Sequence, residues 1–112
     1  VSEQSRQEEA RAEVGVIGAG GWGTALANLL GQKGVPVSVW VYEEDLCKTM
    51  HETRENPLYL PSISLASAVR PDSSLQAVAS AKRVLVMAVP SHVYRQVARQ
   101  MIPFLSGRVI IV

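Results

Sequence analysis

The chain reads as an α/β domain with a doubly wound, mostly parallel sheet. Three observations predict that class. Apolar strand-like runs alternate with helix-like runs along the 112 residues. A glycine-rich turn joins the first strand run to the first helical run. The strongest strand run, residues 83–89 (RVLVMAV), is followed at once by Pro90 and a helical pattern. Strands separated by helices pair in parallel through right-handed crossovers, which lays helices on both faces of one sheet.

The elements follow in order. Val14-Gly15-Val16-Ile17 is the first strand, and the turn Gly18-Ala19-Gly20-Gly21-Trp22-Gly23 ends it. The first helix is predicted over residues 22–33, with Gly34 where a C-terminal cap belongs. Residues 35–42 (VPVSVWVY) alternate and are rich in valine, so they form the second strand, with Pro36 at its start. Residues 43–54 (EEDLCKTMHETR) form a helix whose first turn carries acids, where the dipole favours them. Residues 56–61 (NPLYLP) hold two prolines and are predicted to be a loop. Ala68-Val69-Arg70 is a short third strand, and Pro71-Asp72-Ser73-Ser74 is a turn and N-cap for a helix over residues 75–81. Residues 83–89 are the fourth strand, and Ser91 is predicted to cap the next helix. There Val93, Val97 and Met101 recur at helical spacing, a stripe read as core. Pro103 ends or kinks that helix. Residues 108–112 (RVIIV) are predicted to be a buried fifth strand. It stops on the last residue, from which we expect a piece of a longer protein. Residues 1–12 (VSEQSRQEEARA) are a polar lead with no apolar signal region.

Composition narrows the function classes. Hydrophobic residues make up 47% and charged residues 19%, as in a soluble globular domain. A net charge of +1 provides no electrostatic footprint for nucleic acid or an anionic membrane. Cys47 is the only cysteine, so no internal disulfide forms, and a cytoplasmic location is expected. Cys47 itself reads as a small buried residue. His51 and His92 have no metal-ligand spacing, so no metal site is expected. Lys33, Lys48 and Lys82 read as solvated surface residues.

The chemistry lies in the glycine turn. Strand, G-x-G-x-x-G, helix is the layout that brings a dinucleotide pyrophosphate against a helix N-terminus. Gly18 allows the tight turn, Gly20 lets the phosphates approach the backbone, and Gly23 lets helix and strand pack closely. The turn, Tyr42-Glu43 and Pro90-Ser91 all fall at the C-terminal ends of neighbouring strands, where ligands of such sheets bind. Glu43 lies 20 positions past Gly23, where an acid holds the adenosine ribose and repels a 2′-phosphate. That favours NAD, with NADP possible. The other reading of Glu43, service to the helix N-terminus, stands beside it. Tyr42 offers a ring for adenine stacking or for ordinary strand-end packing.

Together these segments resemble the NAD(P)-dependent glycerol-3-phosphate dehydrogenases. The run 16–27 (VIGAGGWGTALA) is similar to that family's opening GxGxWGTALA. Residues 39–45 (VWVYEED) resemble the second-strand end of its NAD-using branch, residues 54–61 (RENPLYLP) its R-x-N-x-x-Y-L-P loop, and Val89-Pro90-Ser91-His92 its V-P-S motif. The resemblance implies a Rossmann domain over residues 13–112. It implies cofactor binding by Gly18, Ala19, Gly20, Gly21, Trp22 and Gly23, by Tyr42, and by Pro90 and Val93. Gly21 stands where bacterial members commonly have serine. The family interconverts dihydroxyacetone phosphate and sn-glycerol 3-phosphate, a precursor of glycerophospholipids. Its Lys-Gly motif after the fifth strand and its helical substrate domain would follow Val112. No catalytic residue is therefore expected in these 112 residues, and the chain should bind dinucleotide without turnover. Alternatives are a stand-alone dinucleotide-binding module, a ketopantoate-reductase-like enzyme and a 6-phosphogluconate-type dehydrogenase. Trp22-Gly23 and the NPLYLP loop weigh against the last two. An uncovered apolar edge at the fifth strand would favour a homodimer.

Overall fold

The structure is a computed structural model and describes residues 13–112. The polar lead expected over residues 1–12 lies outside the described residues. The chain runs β1 (Val14–Ile17), α1 (Gly21–Gln32), β2 (Val37–Trp40), α2 (Glu44–Thr53), β3 (Glu55–Asn56), β4 (Leu60–Ser64), β5 (Val69–Asp72), α3 (Leu75–Ala79), β6 (Val84–Met87), α4 (Ser91–Met101), a 3-10 turn (Ile102–Phe104) and β7 (Ile110–Ile111).

Five strands form one sheet in the order β5-β2-β1-β6-β7, every neighbouring pair parallel. The strand order reverses at β1, which makes its C-terminal end the switch point of a doubly wound sheet. Ile17 pairs with Trp40 of β2 and with Met87 of β6, so three strands end level with one another. The chain segments that leave those ends face one crevice.

Alternation along the strands divides the core between the two faces. Val16, Val39 and Val86 join Ala27, Leu46 and Met50 beneath α1 and α2. Ile17, Trp40 and Leu85 join Val78, Val97 and Met101 beneath α3 and α4. Each fully buried side chain of the size of Ile17 or Leu85 stabilises the fold by about 2 kcal/mol. The Val97–Met101 part of the helical stripe is thus core, as its spacing predicts.

Several local expectations need correction. The proline-rich stretch 56–61 is not all loop, because β3 and β4 form an antiparallel pair. Its register shifts between Glu55 and Asn56, and Pro61 sits in that irregular stretch. Pro71 and Asp72 belong to β5 rather than to a turn. Val37 donates to the Ala68 carbonyl and Val41 to the Asp72 carbonyl, so Pro71 turns its missing N–H away from β2. An edge strand tolerates proline on that side. The helix predicted over 75–81 ends at Ala79, but Ser74 does cap it, its Oγ accepting from the Ala77 N–H at 3.1 Å. Ser91 is the first helical residue of α4 and not its cap; Pro90 holds that position, with no side-chain bond. Pro103 does end α4, which tightens into the 3-10 turn. The last strand is not buried: Ile110 is 62% exposed and Val112 70%, because β7 has only β6 beside it.

One contact sets how α1 meets the sheet. A Cβ on Gly23 would collide with the Gly18 carbonyl oxygen and lie 3.1 Å from the Ala88 Cβ. Gly18 itself has φ +121, a conformation that side chains resist. The predicted outcome of Gly23→Ala is a loss of about 2 kcal/mol or more from overpacking against backbone. A thermal melt should fall by roughly 10 °C or more. A melt within 2 °C of wild type would show that the helix slides without cost.

Candidate functional site

The glycine turn places an unfilled set of donors at the switch point. The first helical bond of α1 runs from the Thr24 N–H to the Gly20 carbonyl at 3.0 Å. The amides of residues 21–23 therefore have no acceptor within the helix. Gly20 holds the N-cap position without a side-chain bond, and no acidic residue sits in the first turn. The partial positive charge at this helix end is thus left for an anion. A Cβ on Gly20 would meet nothing within 4 Å, so the backbone there lies bare to the cleft.

That cleft has a volume of about 620 Å³. Every site residue predicted from sequence lines it. Gly18, Ala19, Gly20, Gly21, Trp22 and Gly23 form its floor, Tyr42 lies at the β2 side, and Pro90 and Val93 lie at the β6 side. Trp22 is 63% exposed and Tyr42 76%, large rings left uncovered beside a polar backbone. Trp40 is anchored by its Nε1–H, which donates to the Ser73 carbonyl at 3.1 Å. The Tyr42 ring stands edge-on to it, with centroids 5.9 Å apart.

Glu43 occupies the N-cap position of α2 but makes no capping bond. Glu44 and Asp45 supply the acids of that first turn. The Glu43 carboxylate instead accepts from the Tyr59 hydroxyl at 3.4 Å. The two residues close one end of the cleft. Glu43 is the single charged residue that lines it, and among the described residues no Lys, Arg or His does so.

Sequence reasoning assigned no site role to Tyr59, Trp40, Ala88, Val89, Gln96 or Gln100, which also line the cleft. The glutamines had a visible signal, being one turn apart beside Val93 and Val97. Tyr59 had a weaker one, its place in the NPLYLP stretch. Its entry depends on Asn56, which is fully buried. The Asn56 Nδ2 donates to the Ala19 carbonyl at 2.8 Å and to the Thr24 Oγ1 at 2.9 Å. Its Oδ1 accepts from the Tyr59 N–H at 3.1 Å. The stretch is thereby tied to the glycine turn.

Other titratable groups lie elsewhere. Lys82 is not solvated as expected: it is buried, and its Nζ donates to the carbonyls of Ser80 at 3.1 Å and Ala77 at 3.4 Å. Burial pushes its ammonium below the usual range, opposed by the Asp72 carboxylate. Cys47 is buried as expected, and burial, then Asp72, push its thiol up and away from nucleophilic use. His92 is exposed and does not line the cleft. His51 borders a second groove, about 790 Å³, at the outer edge of β5 and α2. None of the predicted site residues lies in that groove. Among the described residues no helix is long and apolar enough to cross a membrane.

Comparison with known proteins bears on this cleft. The family model for the NAD-dependent glycerol-3-phosphate dehydrogenase N-terminus matches residues 13–112. A glycerol-3-phosphate dehydrogenase [NAD(P)+] of Syntrophobacter fumaroxidans is 48% identical over 99 residues, covering 88% of this chain and 29% of that protein. One from Geobacter sulfurreducens is also 48% identical, over 88% of this chain and 30% of its own length. The crystal structure of the Coxiella burnetii glycerol-3-phosphate dehydrogenase superposes with a TM-score of 0.85 at 30% identity, covering 91% of this chain and 31% of that one. The chain thus spans about 30% of the length of the curated relatives it matches.

The bare Gly20 backbone separates binding from folding. Gly20→Ala should keep the melting temperature or raise it slightly, since φ −71 suits alanine and the unfolded chain loses freedom. Dinucleotide affinity, followed by calorimetric titration, should fall by about tenfold or more, because the methyl occupies the space the phosphates need. Unchanged affinity would put the phosphates somewhere other than this turn.

Proposed function

Because the chain belongs to the NAD-dependent glycerol-3-phosphate dehydrogenase family through its N-terminal domain, we propose that it is the cofactor-binding part of an oxidoreductase that interconverts dihydroxyacetone phosphate and sn-glycerol 3-phosphate. The observation that carries the reading is the helix N-terminus of α1, with free amides and a bare Gly20, opening on a cleft at the switch point.

In this reading the amides of residues 21–23 hold the pyrophosphate. Trp22 covers it from the turn. Tyr42 packs on the adenine and Glu43 accepts from the ribose hydroxyls. Val89, Pro90 and Val93 flank the nicotinamide end. When bound, the nicotinamide ring supplies or accepts the hydride. Reduction of the carbonyl also requires a donor or cation at the oxygen, where charge develops. No cation among the described residues lines the cleft, so these residues orient the cofactor and leave that task to other parts of the whole protein. The same reading puts the protein in the cytoplasm, in keeping with a lone unpaired cysteine. For this chain by itself, it also takes the exposed β7 edge as the side on which a second copy would pair.

Glu43 carries the cofactor preference. Its carboxylate attracts ribose hydroxyls and repels a 2′-phosphate, and among the described residues no cation lines the cleft beside it. NADH should bind at least about tenfold tighter than NADPH, a difference near 1.4 kcal/mol. Fluorescence titration of this chain with each cofactor measures it, and tighter NADPH binding would reverse the assignment. The whole protein should oxidise NADH when given dihydroxyacetone phosphate. Oxidation with ketopantoate and none with dihydroxyacetone phosphate would remove the proposed activity.

A further inference from the structure

We infer that Asn56 is a positioning residue of the dinucleotide site, fixing the glycine turn and the Tyr59 wall in one arrangement. The inference rests on the reading of the cleft given above. Asn56 lies outside the cleft lining and is fully buried, so it acts through its neighbours.

Its bonds reach both sides of the turn. Ala19 sits between Gly18 and Gly20, and its carbonyl takes one Asn56 donor at 2.8 Å. Thr24 closes the first helical bond, and its hydroxyl takes the other at 2.9 Å. Both N–H donors of the amide are thus committed, one before the unpaired amides of residues 21–23 and one after them. The amide oxygen accepts from the Tyr59 N–H, which holds the ring opposite Glu43. Only an uncharged carboxamide provides two donors and an acceptor at this size; an ionised aspartate would set oxygen against the Ala19 carbonyl. Asn56 is fully buried, so each bond is strong when made and costly when left unmade.

The strand that carries Asn56 is held from the other side as well. Arg54 has φ 56, and its Nη2 donates to the carbonyls of Ala66 and Val69, each at 2.7 Å. The β3–β4 pair is therefore pinned to the start of β5 by Arg54 and to the glycine turn by Asn56. The seating is close: the Tyr59 carbonyl oxygen lies 3.0 Å from where a Cβ of Gly21 would stand. A small residue at 21 and the carboxamide at 56 work together to bring this wall down onto the N-terminus of α1.

The test compares ligands that differ in phosphate on this chain and its variants. Calorimetric or NMR titration gives Kd for NADH, ADP and adenosine. With Asn56→Ala the Kd for NADH and for ADP should rise about tenfold, the scale of one lost buried hydrogen bond. The Kd for adenosine, which has no pyrophosphate to place and meets Asn56 only through the Tyr59–Glu43 contact, should rise by no more than about threefold. Thr24→Val removes one bond at nearly constant volume and should raise the NADH Kd about threefold, whereas Thr24→Ser keeps the hydroxyl and should restore it. If Asn56→Ala does not fold, the two Thr24 variants decide alone. An unchanged NADH Kd in a folded Asn56→Ala or Thr24→Val overturns the inference, as does an equal loss for all three ligands. If the wild-type chain binds neither NADH nor ADP, the reading of the cleft fails first, and this inference with it.

Discussion

The first turn of α1 rests directly on the end of β1, backbone against backbone. No side chain separates Gly23 from the Gly18 carbonyl. That contact does two things at once. It lets the helix lie close on the sheet, and it points the helix N-terminus across the level ends of β1, β2 and β6. A helix one methyl further away would aim its free amides elsewhere. The position of the cleft follows from this one approach.

Around that contact the polar groups are divided by burial. Thr24, Asn28 and Asn56 are buried, and each is bonded to backbone or to another of the three. They fasten the β3–β4 pair and the segment before β5 to α1. No buried side-chain nitrogen or oxygen among the described residues lacks a partner. At the cleft, the backbone amides of residues 21–23 are left without a helical partner. The fold is saturated where it must be rigid and open where a ligand can complete it.

The doubly wound parallel sheet and the cleft were legible in the sequence because both depend on local pattern. Val14-Gly15-Val16-Ile17 before G-x-G-x-x-G before a helix is a contiguous signal, and the switch point follows from the alternation of strand and helix. What escaped depends on contacts between distant segments. Pro71 reads as a turn until β5 is known to be an edge, where its missing N–H faces outward. Lys82 reads as surface until the carbonyls at the end of α3 are seen to gather its ammonium. Asn56, beside a proline, has the look of a loop residue; its burial exists only because residues 19 and 24 lie over it. Ser91 failed for a local reason, since Pro90 already has the extended conformation of an N-cap.

The cleft's own chemistry marks a division of labour. Its donors are neutral amides, its rings are aromatic, and its single charge is the Glu43 carboxylate. Under the proposed function, such a surface would hold a dianionic pyrophosphate through dipoles without locking it in an ion pair, which would suit a cofactor that leaves after each turnover. Among the described residues the cleft has no cation to offset negative charge forming on a carbonyl oxygen. A cation placed inside this cleft would pair with a bound pyrophosphate and would weaken the discrimination proposed for Glu43 against a 2′-phosphate. Under the proposed function, a cation outside the lining residues would serve both cofactor exchange and cofactor choice, and the substrate's chemistry would fall to a separate surface.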